Sequence, residues 1–327
     1  MSNYIEPGQV LRDRYIIREI IGRGGMGAIF LADDNRLHGR YCAIKQVLHD
    51  PNLPDSLRSQ ASEQFYREAS MLARLDHPNL PKVSDYFTLS EVDYLVMDYV
   101  PGDDLKTLMD NARREGQHLN QDDVLQWASQ IADALSYLHS QDPPVIHRDI
   151  KPSNLKLTPS DLVKLVDFGL VKQMIPDEMT ITVIQGRGTA LYTPLEQYGG
   201  DQGHTDPRSD IYALGATLYH LLTNQPPMEA KQRFLRPEGL RPLREFNPDI
   251  EPHVEDAIMW AMALHPNERP QDIEEFQLAL FGSSPIPTRT RPITKRSRRP
   301  FFAFQIHRVL VGIAAVLLLV ALVASLI

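Results

Sequence analysis

The feature that most constrains the fold of this 327-residue chain is a polar run from His147 to Asn154 (His-Arg-Asp-Ile-Lys-Pro-Ser-Asn), followed by an Asp-Phe-Gly triplet that starts at Asp167. Between them lie two short apolar runs, 155–157 and 163–166, joined by a Thr-Pro-Ser-Asp turn. This pattern predicts two short strands that bring Asn154 and Asp167 together. An amide oxygen and a carboxylate on facing strand ends suit Mg²⁺, which takes few protein oxygens and keeps several waters.

Asp149 and Lys151 lie inside the polar run and complete a set of groups suited to phosphoryl transfer. That reaction needs a group that orients the attacking hydroxyl, oxygen ligands for the metal that bridges the phosphates, and a cation near the transferred group. Asp149, the pair Asn154 and Asp167, and Lys151 match these needs in that order. The joint pattern resembles the catalytic loop of the protein kinases, and the Lys-Pro-Ser-Asn form resembles their serine/threonine-specific branch.

The resemblance covers most of the chain and implies an α+β, bilobal protein-kinase fold, with a small antiparallel β-sheet lobe and a larger helical lobe. We expect residues 14–281 to form this kinase domain, after an N-terminal extension of residues 1–13. A basic juxtamembrane linker (282–308) and a single C-terminal transmembrane helix (309–327) are expected to follow.

A strand, a glycine turn and a return strand are predicted between Tyr15 and Phe30. Gly22, Gly24 and Gly27 form a G-x-G-x-x-G pattern, which also opens dinucleotide-binding folds, but there a helix must follow and here a strand follows. In the kinases this hairpin covers the phosphates, because glycine lets backbone amides approach them without an intervening Cβ. The ATP contacts that the resemblance implies in this hairpin are Ile21, Gly22, Gly24, Gly25, Gly27 and Ile29.

Lys45 ends an apolar strand, and Glu68 lies in a segment whose apolar residues recur at helical spacing. In the kinase family a lysine and a glutamate at these positions form an ion pair that holds the lysine toward the α- and β-phosphates. The resemblance therefore implies that Lys45 and Glu68 act in catalysis with Asp149 and Lys151, and that Lys45 also binds ATP.

The adenine and ribose side of the site is implied by an apolar strand that runs into a Pro-Gly pair after Val100. By the resemblance, Met97 closes the rear of the nucleotide pocket, while the Asp98 carbonyl and the Val100 amide face adenine. Ala43 is a further implied ATP contact. A helix is predicted to start near Asp103. Asp104 stands where the family often places an acid near the ribose hydroxyls, and it equally fits the N-cap of that helix.

A loop from 170 to 196 contains Thr180, Thr182 and Thr189. Kinases with an arginine before the catalytic aspartate, here Arg148, are often switched by a phosphate in this loop, because the basic cluster gains a partner of roughly −2 charge. Thr180 and Thr182 are therefore the candidate phosphosites, and the alternative is that they are ordinary solvated loop residues. Thr189 is expected to contact the catalytic loop as a structural support.

Three acidic or basic residues are implied to support the site. Asp210 matches the acid that braces the catalytic loop, and Glu196 matches the acid that pairs with the arginine at Arg269.

Two positions depart from the family. Leu195 stands in a Pro-Leu-Glu triplet where the family has Ala-Pro-Glu, and Lys156 stands where the family has an apolar side chain under adenine. A lysine stem can fill that place with its ammonium turned outward.

Charge is distributed unevenly along the chain. Between Gly282 and Arg308 lie seven of the 34 basic residues and no acidic residue, so the remainder carries 27 basic and 42 acidic residues. An acidic body argues against nucleic acid as a partner, because phosphate backbones require clustered positive charge. The single cysteine, Cys42, excludes an intrachain disulfide.

The last 19 residues, 309–327, carry no charge. They are long enough to cross a bilayer core of about 30 Å at about 1.5 Å per residue, and a buried core helix is the alternative. The preceding basic cluster predicts a single-pass membrane protein with its kinase domain in the cytoplasm. The same cluster is expected to bind anionic lipid headgroups.

The resemblance implies an ATP-dependent serine/threonine protein kinase that transfers the γ-phosphate of ATP to Ser/Thr hydroxyls of proteins, with Mg²⁺, or Mn²⁺ in its place, as the metal. Self-association at the membrane would let one copy phosphorylate the loop of another. The alternatives are a catalytically dead kinase-fold scaffold at the membrane and a small-molecule phosphotransferase. Retention of Lys45, Asp149, Asn154 and Asp167 together argues against the first, and the threonine-rich loop argues against the second.

Overall fold

The computed structural model describes residues 5–24, 27–48, 54–167, 189–198, 205–236 and 239–282. Several positions that carry predictions lie outside these ranges, namely Gly25, Thr180, Thr182, the basic segment after Gly282 and the apolar run 309–327. Nothing is concluded about them from the structure.

The first lobe is built on a six-stranded antiparallel sheet in the order β1-β2-β3-β4-β6-β5. Its strands are β1 (Val10–Leu11), β2 (Tyr15–Gly24), β3 (Gly27–Asp34), β4 (Tyr41–Val47), β5 (Val83–Leu89) and β6 (Val92–Asp98). Buried and half-buried residues alternate along β3, as expected for a strand with one face in a core. Strand β1 belongs to the segment that the sequence analysis sets before the domain, yet it pairs with β2.

The two faces of this sheet bury different clusters. One face packs its own small core, which includes Tyr15, Phe30 and Ile44. The other face shares the main core of the molecule with helix α1 (Asp55–Leu72) and with the second lobe. Phe65 and Ala69 of α1 are fully buried in that core, at the helical spacing that the sequence predicts.

The second lobe is helical. Its helices are α2 (Leu105–Arg114), α3 (Gln121–His139), α4 (Pro207–Thr223), α5 (Ala230–Leu235), α6 (Pro252–Ala261) and α7 (Ile273–Leu280). Helix α4 is the centre of the lobe, because every residue from Ser209 to Thr223 is buried. The Asp206 side chain caps its N-terminus and Pro207 follows, while Asn224 ends it in the left-handed conformation.

A second, three-stranded sheet supports the polar run. It consists of β7 (Asp103–Asp104), β8 (Leu155–Leu157) and β9 (Val163–Leu165) in that order. Strands β8 and β9 form the predicted hairpin, with Leu155 opposite Leu165. The sequence predicts a helix from about Asp103, whereas β7 occupies that position and α2 begins two residues later. The reason is that Asp103 and Asp104 add a short edge to β8 before the chain turns into the helix.

Candidate active site

Asp210, at the start of α4, holds the catalytic loop through two hydrogen bonds and contacts the end of α3 through a third. Its fully buried carboxylate accepts from the backbone amides of His147 at 2.8 Å and Arg148 at 2.9 Å, and it lies 3.1 Å from His139 Nε2. Burial alone raises the pKa of a carboxyl group, but the hydrogen bond and charge of His139, with His147, outweigh it and hold the pKa of Asp210 below its ordinary value. The loop is thus anchored to the most buried helix.

The Asp149 carboxylate is held by two donors from its own loop. Its Oδ2 accepts from Lys151 Nζ at 3.0 Å and from Asn154 Nδ2 at 2.9 Å. Lys151 Nζ also donates to Thr189 Oγ1 at 3.0 Å. Three residues of the polar run and Thr189 of the later loop are therefore linked by hydrogen bonds. A carboxylate fixed in this way suits a group that orients a hydroxyl.

Asn154 and Asp167 meet at the ends of β8 and β9, as predicted from the two apolar runs. The backbone oxygen of Asn154 accepts from the Val166 amide at 2.8 Å, and both hydrogen bonds of its side-chain NH₂ go to Asp149. The amide oxygen is thus the atom of this side chain left to ligate a cation. With the Asp167 carboxylate it makes a pair of hard oxygen donors, which fits Mg²⁺ better than a softer metal.

Two non-glycine residues at this site have left-handed backbone conformations. Arg148 has a φ of 65° and Asp167 a φ of 63°. Such conformations are costly for residues with a Cβ and persist where surrounding contacts fix them. For Arg148 the contact is its backbone bond to Asp210, and for Asp167 it includes an ion pair with Lys45.

Lys45 and Glu68 lie on β4 and α1. The Lys45 ammonium forms an ion pair with the Asp167 carboxylate. The Glu68 carboxylate, 6% exposed, accepts from Gln64 Nε2 at 2.8 Å. Burial raises the pKa of Glu68 to about 7, against the lowering effects of the Gln64 hydrogen bond and the Arg148 charge. The ion pair between Lys45 and Glu68 stays a prediction.

The glycine-rich hairpin is formed by β2 and β3, with Gly24 opposite Gly27 and Gly22 opposite Ile29. Gly27 has a φ of 147°, and a Cβ there would collide with the backbone oxygen of Gln46. Glycine is therefore required at this position by packing as well as by any approach to a phosphate. Ile21, beside the turn, is 42% exposed.

The residues predicted to contact adenine lie on β4, on β6 and just after β6. Ala43 of β4 lies directly opposite Met97 of β6, and both are buried. Val100, just after β6, is also buried. The Asp98 carboxylate accepts from Arg40 at 2.9 Å. The roles of these residues in binding adenine stay predictions.

Asp104 acts as the N-cap of α2, as one of the two sequence interpretations predicts. Its Oδ1 accepts from the Thr107 amide at 2.8 Å and from the Thr107 hydroxyl at 3.1 Å. In β8 its Cα partner is Lys156, whose Cα partner in β9 is Lys164. Lys156 thus lies on the sheet face opposite to the buried Leu155.

Glu196 and Arg269 form the predicted pair. The two guanidinium nitrogens of Arg269 lie 2.6 Å and 3.0 Å from the two oxygens of Glu196, and Ser209 Oγ adds a hydrogen bond of 2.8 Å to the carboxylate. The Arg269 side chain is fully buried, with its guanidinium 4.9 Å from the ring centroid of Tyr212. This pair fixes the end of the segment 189–198 to the helical lobe.

The sequence analysis missed three groups that the structure brings to the site. His139 contacts Asp210 from the last turn of α3. Tyr192, within the segment 189–198, is hydrogen-bonded to His220 of α4. A histidine on an otherwise apolar helix face is a signal for His139 and His220, but it does not identify the partner.

The helices in the described part of the chain include no candidate for a membrane span.

The fold and the site together define a two-lobed phosphotransferase domain. The family model described as "Protein kinase domain" matches residues 15–277. The chain therefore belongs to the protein kinase family, and the predicted bilobal kinase fold is confirmed.

Relatives and solved structures agree with this assignment. The chain is 34% identical over 285 residues to the probable serine/threonine-protein kinase SCO3848 of Streptomyces coelicolor, covering 84% of this chain and 40% of that protein. It is 32% identical over 284 residues to serine/threonine-protein kinase PknB of Mycolicibacterium smegmatis, covering 84% and 43%. It thus spans less than half the length of these relatives.

Among solved structures, the chain is similar to the apo form of PpkA-294, with a TM-score of 0.71 and 28% identity over 85% of this chain and 100% of that one. It is also similar to the PknI kinase domain of Mycobacterium tuberculosis, with a TM-score of 0.64 and 28% identity over 86% and 100%. The second of these structures is of a kinase domain, which is the part of this chain that the described residues cover.

Proposed function

We propose that this chain is an ATP-dependent protein kinase that phosphorylates serine and threonine hydroxyls of proteins. The observation that carries the proposal is the position of Lys151, whose ammonium contacts both the Asp149 carboxylate and the Thr189 hydroxyl. Lys151 thus links Asp149, which would receive the proton, to the segment 189–198, which would face the protein acceptor. The relatives named above are serine/threonine-protein kinases, which supports the same class of acceptor.

In the proposed reaction, Asp149 orients the acceptor hydroxyl and takes its proton as the oxygen attacks the γ-phosphorus of ATP. The bond between that phosphorus and the β–γ bridging oxygen breaks, and ADP leaves with the electron pair. Lys151 lies beside the transferred group and offsets its charge. When bound, Mg²⁺ supplies charge neutralisation at the phosphates; Asn154 and Asp167 would hold it, and Mn²⁺ suits the same oxygen donors.

A catalytically dead scaffold would not need this arrangement. The ion pair of Lys45 with Asp167 and the two hydrogen bonds on Asp149 Oδ2 bring partly buried charged groups close together. Such clusters are costly to retain without a role in the chemistry. We therefore favour the active enzyme.

The experiment is to incubate the full chain with Mg-ATP labelled at the γ-phosphate and with a generic basic protein. We expect label on the acceptor, recovered as phosphoserine or phosphothreonine after hydrolysis. Label found solely in inorganic phosphate would contradict the proposal and leave an ATPase, whereas label that stays in ATP would contradict it and leave a scaffold.

We also propose that the chain is anchored in a membrane by residues 309–327, with the basic linker against anionic lipid. The support is the sequence: an uncharged run of 19 residues that follows a basic cluster. The full chain should pellet with membranes and stay there in high salt. Release by salt alone would contradict a spanning segment.

Activation by phosphorylation at Thr180 or Thr182, one copy acting on another, is the last part of the proposal. It rests on Arg148, whose largely buried guanidinium has its pKa lowered by burial, against the raising effect of the Asp210 and Glu68 charges. A phosphate of roughly −2 charge in the loop would add a strong acceptor for this basic residue. Intact-mass analysis after incubation with Mg-ATP should show added phosphate, and full activity of the Thr180→Ala/Thr182→Ala variant would contradict the switch.

A further inference from the structure

Tyr192 of the segment 189–198 and His220 of α4 form a buried pair of polar aromatic side chains that the proposed reaction does not use. The Tyr192 hydroxyl is 2.7 Å from His220 Nδ1, and the two rings stack at a centroid distance of 6.1 Å with 25° between their planes. Tyr192 is 8% exposed and His220 9% exposed. His220 belongs to α4, the central helix, and Tyr192 to the turn Ala190–Tyr192.

Neither ring is charged at neutral pH. Burial lowers the pKa of His220 to about 4; of the α2 side chains that face it, Asp110 raises that pKa, and Lys106 and Arg113 lower it further. Burial also raises the pKa of Tyr192 above its ordinary value. The pair is therefore a neutral hydrogen bond. If it were broken, a buried hydroxyl and a buried ring nitrogen would lose their partners, which costs more than the bond itself contributes.

The turn that Tyr192 ends is continuous with the catalytic loop. Thr193 Oγ1 donates to the backbone oxygen of Thr189 at 3.0 Å, which closes the turn on itself. Thr189 Oγ1 in turn accepts from Lys151, which also contacts Asp149. A movement of Tyr192 would therefore be transmitted through Thr189 to the group that orients the acceptor hydroxyl.

We propose that His220 is a positioning residue for the protein acceptor: through Tyr192 it fixes the turn 189–193 against α4, and so sets where the acceptor hydroxyl meets Asp149. The inference rests on the proposed kinase function. It concerns the acceptor and not ATP, because the contacts of Lys45 with Asp167 do not pass through this turn.

The test compares four variants of the full chain, kept in detergent micelles, with the unchanged protein. His220→Phe and Tyr192→Phe each remove one side of the hydrogen bond and keep an aromatic ring, and the double variant removes both. His220→Asn places an amide where Nδ1 stood, so that the bond to the hydroxyl can form again. For each protein, kcat/KM for a basic protein acceptor, KM for ATP and the thermal midpoint are measured.

Tyr219→Phe provides a matched control. Tyr219 is the neighbour of His220 in α4, is also buried, and its hydroxyl donates to the backbone oxygen of Arg241 at 3.0 Å, away from the segment 189–198. This control loses a buried tyrosine hydrogen bond of the same kind. It should lower the thermal midpoint by a similar amount and leave acceptor phosphorylation unchanged.

We expect His220→Phe and Tyr192→Phe each to lower kcat/KM for the acceptor about tenfold, the order expected when a buried hydrogen-bond partner is removed. KM for ATP should stay the same. The double variant should lose no more than either single variant, and His220→Asn should recover most of the loss.

Acceptor phosphorylation in His220→Phe equal to that of the unchanged chain, or reduced only as much as in Tyr219→Phe, would overturn the positioning role and leave the kinase function standing. Failure of the unchanged chain to phosphorylate any protein would overturn the proposed function, and the inference with it.

Discussion

The buried pair of Glu196 with Arg269 predicts a large loss of stability when its negative partner alone is neutralised. Glu196→Gln keeps the shape of the side chain and one acceptor oxygen, but it removes the charge that faces the fully buried guanidinium. Removal of one partner of a buried ion pair typically costs about 3–5 kcal/mol, because an uncompensated charge stays in the interior.

The contacts of Arg269 place the expected cost at the lower end of that range. Its guanidinium also donates to the backbone oxygens of Ala263 at 2.8 Å, Arg208 at 3.0 Å and Leu264 at 3.0 Å, which stay in the variant. We therefore expect a loss of about 3 kcal/mol. For a domain of this size that corresponds to a thermal midpoint lower by roughly 6–12 °C.

The assay is thermal unfolding followed by tryptophan fluorescence, because Trp127 and Trp260 both lie in the helical lobe. The control is Glu245→Gln, which breaks the exposed pair with Arg241, whose side chains are 46% and 58% exposed. That pair should contribute less than about 1 kcal/mol. Equal small shifts in Glu196→Gln and Glu245→Gln would refute the reasoning.

Three further predictions follow from the site. The Glu68 carboxyl has a pKa of about 7 in the folded chain and an ordinary value of 4.5, so the native chain loses stability as the pH rises from about 4.5 to about 7. Glu68→Gln should therefore raise the free energy of unfolding at pH 8 by up to about 3 kcal/mol while lowering kinase activity. Thermal midpoints at pH 4 and pH 8, with exposed Glu63→Gln as control, measure this, and no gain at pH 8 counts against it. Lys156→Leu should retain or tighten ATP binding in a titration, since the half-buried Lys156 stands where adenine is expected and the change removes a charge beside a ring that prefers apolar contact; a large loss would mean that the ammonium contacts the nucleotide. Asp167→Asn should weaken Mg²⁺-dependent ATP binding as well as turnover, and binding equal to that of the unchanged chain would exclude the metal role.

The elements that follow from local pattern were predictable from sequence. The hairpin of β8 and β9 is encoded by two apolar runs and a Pro-containing turn, and α4 by an apolar run with an N-cap before it. The short edges were not predictable: β1 and β7 have two residues each, and their pairing depends on partners already in place. Helix α2 begins at Leu105, two residues after the predicted start near Asp103, for the same reason.

The site divides in a similar way. Asp149, Lys151 and Asn154 lie within one short run, so their spacing alone places them together. Contacts between distant residues depend on how the helices pack, which no local pattern specifies: Tyr192 and His220 are 28 residues apart, and His139 and Asp210 are 71 apart. The raised pKa of Glu68 is also a property of burial in the folded chain.

The most direct test of the account is the rate of γ-phosphate transfer to a protein acceptor by the unchanged chain and by Asp149→Asn, with ATP affinity measured on both. Asp161→Asn, in the exposed turn between β8 and β9, is the control for loss of a carboxylate nearby. The account predicts that Asp149→Asn lowers the transfer rate about 10²–10⁴-fold with little change in ATP affinity, because an orienting base is lost, while Asp161→Asn has no effect. Transfer by Asp149→Asn at the rate of the unchanged chain would contradict it.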